Sequence, residues 1–342
     1  MSSFNEFQQG GRYGMHSGSA HFKHMKIDQL LIVSGAQVTP ATPGVIWHVD
    51  GNKSASGNGK SWDTAFLTIA EAHTAATSAR GDIILIAPKT SGSGRYNENV
   101  LITKESLTIM GVGGGKYNPA IRASGATTKI PFTGEIEGTT ISGCGLIICA
   151  KNTTVCNMAF DGSGAYVGIY IGDGYRLDTS YDYDPEYCRI YNCFFKYGVA
   201  GIYADGCSCG LEVSGCYFYN QSDEGIMITP GGLQSSRRMW IHDNCFQGCE
   251  DYGIRAWSHA LVKELVIGPN NIFMDQLDGT TEMTNPVLLG ASAGTCGYVG
   301  NFECTDTECS GGTDNYMAGN TRKVGTMGTP FYITEADSGS NA

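Results

Sequence analysis

The sequence is poor in proline and in charged residues, and it has no long apolar run. Only 10 of its 342 residues are proline and 16% are charged, whereas glycine supplies 48 positions. The low charge excludes an extended disordered chain, and the glycines show no Gly-X-Y period that would predict collagen. No apolar run approaches the roughly 18–20 residues of a spanning helix. We therefore predict a folded protein that does not insert into a membrane.

Basic residues are outnumbered, which limits the partners that the chain can bind. The formal charge is −11 and the pI is about 5.0, so we expect no nucleic-acid partner, because binding phosphate needs a basic face. The amino terminus lacks the basic and apolar regions of a signal peptide, which predicts folding in the cytosol.

Cysteine is absent before Cys144, and all 13 cysteines lie between Cys144 and Cys309. An odd number of cysteines in one stretch predicts reduced, buried thiols better than a disulfide framework. No second cysteine pair or histidine follows at zinc-finger spacing, so we predict no structural metal site.

An internal repeat runs from about residue 141 to 302. The chain has 26 isoleucines against 15 leucines, and 18 tyrosines and 13 phenylalanines, which is typical of strands. In four copies the isoleucine of a Gly-Ile pair follows a phenylalanine after 7 to 9 residues, and a fifth, looser copy keeps only the phenylalanine; the phenylalanines are 35, 23, 28 and 27 residues apart. The repeated phenylalanines are Phe160, Phe195, Phe218, Phe246 and Phe273. Repeats of this length without helical period predict an all-β solenoid, a single-stranded parallel β-helix whose coils stack at about 4.8 Å.

Stacking places like residues above like residues. We therefore predict an internal phenylalanine stack and a sulfur ladder with Cys193 above Cys216. Glycines recur at one place in successive coils, at Gly168, Gly201, Gly225 and Gly253. We interpret them as residues that the turns require.

Residues 45–113 carry motifs that precede the repeat. Val45–Val49 and Asp82–Pro88 read as strands, and Thr68 with Glu71 forms a capping box for a helix over about 69–79 that Gly81 ends. The motifs are Val-Asp-Gly at 49–51, Gly-Asn-Gly-Lys-Ser-Trp at 57–62, Ala-Phe-Leu-Thr-Ile at 65–69, Gly-Asp-Ile-Ile-Leu-Ile-Ala-Pro at 81–88 and Tyr-Asn-Glu-Asn-Val at 96–100. This stretch resembles the amino-terminal cap and first coils of right-handed parallel β-helix proteins of the pectin-lyase-like superfamily.

The resemblance implies a right-handed solenoid but leaves the activity open, because such proteins include pectate lyases, other polysaccharide-degrading enzymes, phage tailspikes and non-enzymatic virion proteins. The sequence departs from the superfamily pattern at one place. Such proteins usually continue Gly-Thr-Tyr after the proline that corresponds to Pro88, whereas here residues 89–95 intervene before Tyr96.

The domain organisation follows from these patterns. We expect an extended anchoring arm over 1–44, a cap with the first coils over 45–113, further coils and a closing segment over 114–335, and a tail over 336–342. The arm is polar and cannot bury enough apolar surface alone, so we expect it to dock on a partner. Its candidate anchoring residues are Phe4, Phe7, Arg12, Tyr13, Leu30 and Leu31.

Five residues before or after the repeated isoleucines are the candidates for chemistry. Asp223 and Asp251 each precede a repeat isoleucine by three residues, Glu224 and Glu250 flank them, and Arg255 follows the second isoleucine. Carboxylates on adjacent coils suit acid–base cleavage of a polysaccharide, or calcium binding beside a basic residue. The alternative is that they are solvated residues before a glycine turn.

A second acidic cluster lies within the insertion 173–186. Its carboxylates alternate with tyrosines, a pattern that suits partner contact, with sugar or calcium binding as the alternative. The residues are Tyr175, Tyr181, Asp182, Tyr183 and Asp184.

The leading expectation is a structural virion protein of a tailed phage, capsid-decorating, head-fibre or tailspike-like, assembled in the host cytoplasm. We expect a homotrimer whose partner is the major capsid or a tail protein, and a host surface glycan as a further partner. No cofactor is expected, calcium being the exception considered. The alternatives are a polysaccharide lyase or hydrolase and a non-catalytic glycan-binding adhesin.

Overall fold

The fold is an all-β solenoid in the computed structural model of the chain. The chain separates into two units, Met1–Thr42 and Pro43–Ala342, and every residue with a described structure belongs to the second. The described residues are 44–113, 118–122, 134–136, 139–141, 143–162, 166–172, 185–206, 209–229, 236–256, 262–274, 283, 285–289, 296–304, 315–318, 321–323 and 330–332. No helix within these residues is long and apolar enough to cross a membrane.

Three long sheets form the walls of the solenoid, and a two-stranded hairpin stands apart from them. Sheet A contains β1 (Ile46–Val49), β2 (Ile83–Ile86), β5 (Thr108–Gly111), β10 (Thr154–Cys156), β13 (Arg189–Tyr191), β16 (Glu212–Ser214), β19 (Ser236–His242), β22 (Val262–Ile267), β25 (Cys296–Val299) and β27 (Asn315–Ala318). Sheet B contains β3 (Tyr96–Asn97), β6 (Ala120–Arg122), β11 (Ala159–Asp161), β14 (Phe194–Lys196), β17 (Tyr217–Tyr219), β20 (Cys245–Gln247), β23 (Ile272–Met274), β26 (Phe302–Cys304), β28 (Thr321–Lys323) and β29 (Pro330–Tyr332). Sheet C contains β4 (Val100–Ile102), β9 (Gly143–Ile148), β12 (Tyr166–Gly172), β15 (Ala200–Asp205), β18 (Glu224–Thr229), β21 (Tyr252–Ala256) and β24 (Asn285–Leu289), and the hairpin pairs β7 (Gly134–Ile136) with β8 (Thr139–Ile141).

From β4 to β26 the coils each contribute one strand to each wall, in the order C, A, B. Strands of consecutive coils pair in parallel within every wall, as when Ile226 of β18 lies opposite Ile254 of β21. Only the β28–β29 and β7–β8 pairs are antiparallel among the described strands. The predicted parallel β-helix is therefore confirmed.

The amino-terminal cap contains one helix, α1 (Ile69–Ala75), which begins with the predicted capping box of Thr68 and Glu71. It ends earlier than the predicted residue 79. Lys104 Nζ donates to the carbonyl oxygens of His73, Thr74 and Ala76. These carbonyl groups lie at the end of the helix and are bonded without another helical turn.

The lumen is filled by ladders of apolar side chains. One row on sheet A runs through Ile84, Ile109, Val155, Ile190, Val213, Ile241 and Ile267, all 0% exposed. On sheet B the predicted phenylalanine stack is confirmed, because its four neighbouring ring pairs are 4.9, 4.8, 4.7 and 4.9 Å apart with interplanar angles of 10° or less. Offset stacking of this kind adds to the burial of apolar area.

The repeated glycines do not make turns, and that interpretation was wrong. Gly168, Gly201, Gly225 and Gly253 lie inside strands of sheet C without a positive φ. A Cβ at Gly201 would lie 2.5 Å from the ring of Phe218, and Gly225 and Gly253 meet the next phenylalanines at the same distance. The glycines are required because any side chain would occupy the space of the phenylalanine stack.

The corners between sheets A and B are made by other residues, which adopt left-handed backbone conformations three positions before each phenylalanine. They are Asn157 (φ 55), Asn192 (φ 52), Gly215 (φ 61), Asp243 (φ 56) and Asn270 (φ 63). Asparagine, aspartate and glycine are the residue types that tolerate this conformation best.

The residue after each of these corners is buried in the coil, and from Cys193 onward these residues form a ladder of thiols and amides. Cys193 and Cys216 stand there as predicted, 2% exposed, and the ladder continues through Asn244, Asn271 and Asn301. Asn244 Nδ2 donates to Asn271 Oδ1 at 3.1 Å, and Asn271 Nδ2 donates to Asn301 Oδ1 at 2.9 Å. The asparagine part of the ladder was not predicted.

Nine cysteines whose side chains the structure describes carry free thiols, and eight of them are buried. Burial raises the pKa of the Cys245 thiol to about 11 and that of Cys156 to about 12. Such thiols stay protonated and pack as small apolar groups, in agreement with the predicted packing role.

Candidate functional site

The predicted aspartates occupy equivalent positions on consecutive coils, where the chain enters sheet C. The backbone N–H of Asp251 donates to the carbonyl oxygen of Asp223 at 3.0 Å. Both residues are half-buried, while Glu250 is exposed beside them. The structure thus brings the pair to one corner, with one coil spacing between their backbones.

Glu224 is the first residue of β18 and is 0% exposed. Arg255 Nη1 donates to Glu224 Oε1 at 3.1 Å, and the Arg255 side chain is only 13% exposed. The Arg255 guanidinium also lies 5.2 Å from the ring centre of Tyr252, within the range of a cation–π contact. Glu224 and Arg255 therefore neutralise each other inside the wall, in place of the solvated turn residues that the alternative described.

The outer face of sheet C carries a second apolar cluster, separate from the lumen. In β15, Ile202 and Ala204 belong to the lumen, whereas Ala200 and Tyr203 belong to this outer cluster. Glu224 lies in register with Ala200 and therefore shares the outer face. The cluster contains Cys144, Ile147, Cys149, Val167, Tyr170, Val199, Ala200, Tyr203 and Met227, all at most 1% exposed.

A second buried carboxylate, Asp205, lies on the same face and was not among the predicted site residues. Asp205 is 1% exposed. Its oxygens accept hydrogen bonds from the Tyr170 hydroxyl at 3.0 Å and from Thr229 Oγ1 at 2.6 Å. Burial, reinforced by the Asp205 charge, raises the pKa of Tyr170 well above its ordinary value. The available signal was that Asp205 and Thr229 each lie three residues after a repeated isoleucine and are in register; the carboxylates predicted for chemistry all lie before the isoleucines.

The segment 89–95, which departs from the superfamily pattern, supplies another ion pair. Arg95 Nη2 lies 2.7 Å from Asp161 Oδ2, and the Asp161 side chain is 4% exposed. The inserted loop is thus fastened to the outer side of β11.

The buried carboxylates of this region have charged or hydrogen-bonding partners. Glu224 bonds to Arg255, Asp205 to Tyr170 and Thr229, and Asp161 to Arg95. Within the described ranges, no three or more histidine, cysteine, aspartate or glutamate side chains come together to hold a metal ion. Each of these buried carboxylates has at least one charged or hydrogen-bonding partner, which lowers the free-energy cost of burying its charge.

Two groups of predicted residues lie outside the described residues, so the expectations about them remain predictions. The first is the tyrosine-rich acidic cluster of Tyr175, Tyr181, Asp182, Tyr183 and Asp184. The second is the anchoring set of Phe4, Phe7, Arg12, Tyr13, Leu30 and Leu31.

Comparison with known families gives one match. Residues 150–294 match the family described as the right-handed beta helix region. A search of curated proteins finds no match to this sequence.

Solved structures share the fold at low sequence identity. A pectin methylesterase variant in complex with a hexasaccharide is 13% identical, with 89% of this chain and 96% of that chain covered and a TM-score of 0.57. A GH136 lacto-N-biosidase from Eubacterium ramulus is 13% identical, with 83% of this chain and 57% of that chain covered and a TM-score of 0.57. A pectin methylesterase from Aspergillus niger is 14% identical, with 88% of this chain and 95% of that chain covered and a TM-score of 0.50. The predicted resemblance to the pectin-lyase-like superfamily is confirmed for the fold, and these identities carry no activity to this chain.

Proposed function

We propose that this protein is a non-catalytic structural component of a tailed-phage particle, in which the coils form a rigid rod. The observation that carries the proposal is the ion pair between the buried Glu224 and the largely buried Arg255. These two candidates for chemistry neutralise each other in the wall, and Asp205 is held in a hydrogen-bonded network beside them. Uninterrupted ladders in the lumen give the rod its stiffness.

In this proposal residues 1–44 attach the rod to a capsid or tail protein, and three copies associate. Support comes from the composition of the arm, which is polar and glycine-rich with apolar residues at Phe4, Phe7, Leu30 and Leu31. Proteins with this fold serve in phage particles, as the resemblance implied. The test is to supply full-length protein or the chain lacking 1–44 to assembling particles and to quantify the copies incorporated. We expect incorporation of the full chain only. Equal incorporation of both would contradict attachment through the arm.

The second candidate is a polysaccharide-cleaving enzyme, and the stacking of Asp223 and Asp251 is the observation that favours it. Consecutive coils lie about 4.8 Å apart, close to the separation of about 5 Å between the carboxyl groups of retaining glycosidases. The test is to incubate the protein with acidic and neutral polysaccharides and to measure new reducing ends and unsaturated products. Cleavage that disappears in the Asp223→Asn, Asp251→Asn double variant would establish the enzyme and overturn the structural proposal.

A further inference from the structure

The outer face of sheet A carries a rigidly held, exposed tryptophan. Trp240 of β19 is 46% exposed although its side chain is large and apolar. Its Nε1–H donates to the carbonyl oxygen of Gly268 on the next coil at 2.8 Å. The indole also stacks on His242, with ring centres 3.9 Å apart and an interplanar angle of 29°. The side chain is therefore fixed before any ligand arrives.

The imidazole beneath the indole is itself fixed. His242 Nδ1 lies 2.6 Å from Asp243 Oδ2, and its Nε2 lies 3.5 Å from Glu212 Oε1. The His242 side chain is only 13% exposed, because the indole covers it. It follows that one face of the Trp240 ring rests on His242 and the opposite face is presented to solvent.

The strand register places polar and apolar groups in one row with Trp240. Arg189, Glu212, Trp240 and Val266 occupy equivalent positions on four consecutive coils. Arg189 and Glu212 are joined at 3.3 Å and remain 66% and 34% exposed, and Val266 is 41% exposed. With coils about 4.8 Å apart, the guanidinium and the carboxylate stand within about 10 Å of the indole.

We propose that this row is a binding site for a glycan, in which a sugar ring stacks on Trp240 and its hydroxyl groups bond to Glu212 and Arg189. A sugar ring has an apolar C–H face, which suits the negative face of an indole. The hydroxyl groups at the edge of the sugar ring can donate to the Glu212 carboxylate and accept from the Arg189 guanidinium, and both charged groups stay hydrated. Preorganisation of Trp240 and His242 lowers the entropy lost on binding.

A protein partner fits this row less well. The apolar part of the row is limited to Trp240 and Val266, and the rest is the exposed Arg189–Glu212 pair. Covering that pair with a second copy would remove both charges from water, a cost that attraction between them repays only with additional hydrogen bonds. A bound glycan would leave the Arg189–Glu212 pair in contact with water at the edge of the site.

The test is isothermal titration calorimetry on the purified full-length protein with cellohexaose, chitohexaose and hexagalacturonate at millimolar concentrations. We expect at least one of these probes to bind. Trp240→Ala should weaken that binding about tenfold, as expected for loss of roughly 1.4 kcal/mol of stacking and apolar contact. Trp240→Phe keeps an aromatic face, so its affinity should lie between those of the wild type and Trp240→Ala.

Trp62 provides a matched control. It is 38% exposed and contacts His48 with ring centres 4.7 Å apart, but it lies in the cap away from this row. Trp62→Ala should leave affinity unchanged, and thermal unfolding of every variant reports whether the fold is retained.

Three results would overturn the proposal: no probe binds, Trp240→Ala binds as tightly as the wild type, or Trp62→Ala loses as much affinity. A fourth, loss of self-association in Trp240→Ala without glycan binding, would assign the row to a second copy. The assay needs neither residues 1–44 nor a particle, so its failure would leave the proposed function standing.

Discussion

Gly201 and Phe218 share one space: a Cβ on Gly201 would stand 2.5 Å from the Phe218 ring and 2.8 Å from the carbonyl oxygen of Gly225. The glycine belongs to β15 of sheet C and the phenylalanine to β17 of sheet B. Their contact links two walls of the solenoid, and it explains why the sequence repeats both residues together.

Gly201→Ala should therefore destabilise the protein by about 1–3 kcal/mol, the usual cost of overpacking a core. Denaturant unfolding measures the change. The control is Gly297→Ala on sheet A, where a Cβ would meet no atom within 4 Å. We expect that control to stay within about 0.5 kcal/mol of the wild type. Equal effects of the two substitutions would show that the phenylalanine contact is not what selects glycine.

The asparagine ladder should contribute to stability through bonds that no apolar residue can replace. Asn271 Nδ2 donates to the carbonyl oxygen of Ile241 at 2.9 Å, and Asn271 Oδ1 accepts from the backbone N–H of Asn244 at 3.1 Å. Asn271→Leu would leave the buried N–H of Asn244 without its acceptor and remove one of the two bonds to the Ile241 carbonyl oxygen, at a cost of about 1–3 kcal/mol. Asn270→Gly keeps a residue that tolerates the positive φ of 63 and loses only the exposed bond from Asn270 Nδ2 to Asp243 Oδ1, so it should cost at most about 0.5 kcal/mol. Similar changes in the free energy of unfolding for Asn271→Leu and Asn270→Gly would show that the ladder does not stabilise the protein.

The cap should lose stability in mild acid because of His73. The backbone N–H of Thr103 donates to His73 Nε2 at 3.2 Å, which requires a neutral ring. Burial, with a contribution from the Lys104 charge, lowers the pKa of His73 from 6.5 to about 4. The unfolded chain takes up this proton at higher pH than the folded chain, so stability is present above pH 6.5 and falls as the pH drops from 6.5 towards 4.

The measurement is the midpoint of thermal unfolding between pH 7 and pH 4, for the wild type and for His73→Gln. Glutamine retains an acceptor for Thr103 without titrating, so the variant should lose less stability over this interval. Parallel curves for the two proteins would exclude His73 as the cause.

Breaking the Glu224–Arg255 pair should destabilise the wall whether or not the protein has any activity. Glu224→Gln leaves Arg255 without its compensating carboxylate, at a cost of about 3 kcal/mol. The double variant Glu224→Gln, Arg255→Met should cost less than the sum of the single variants, with an interaction energy of at least about 1 kcal/mol. Strict additivity in a double-mutant cycle would contradict the structural role of the pair.

Much of the fold was predictable because the repeat fixes the register. The spacing of Phe160 through Phe273 predicted the stacked coils, and Thr68 with Glu71 predicted the start of α1. The reason for the glycines was not predictable from one sequence, since a glycine in a turn and a glycine against a ring look alike. Asp205 was missed because its partners Tyr170 and Thr229 are 35 and 24 residues away and meet it only through the coil register.

The most direct test of the account is chemical cross-linking with mass spectrometry on particles of a phage that encodes this chain. Lys23 and Lys26 place reactive amines within the arm. The account predicts that the protein copurifies with particles and that these lysines cross-link to a capsid or tail protein. Absence of the protein from purified particles, together with glycan cleavage that depends on Asp223 and Asp251, would contradict it.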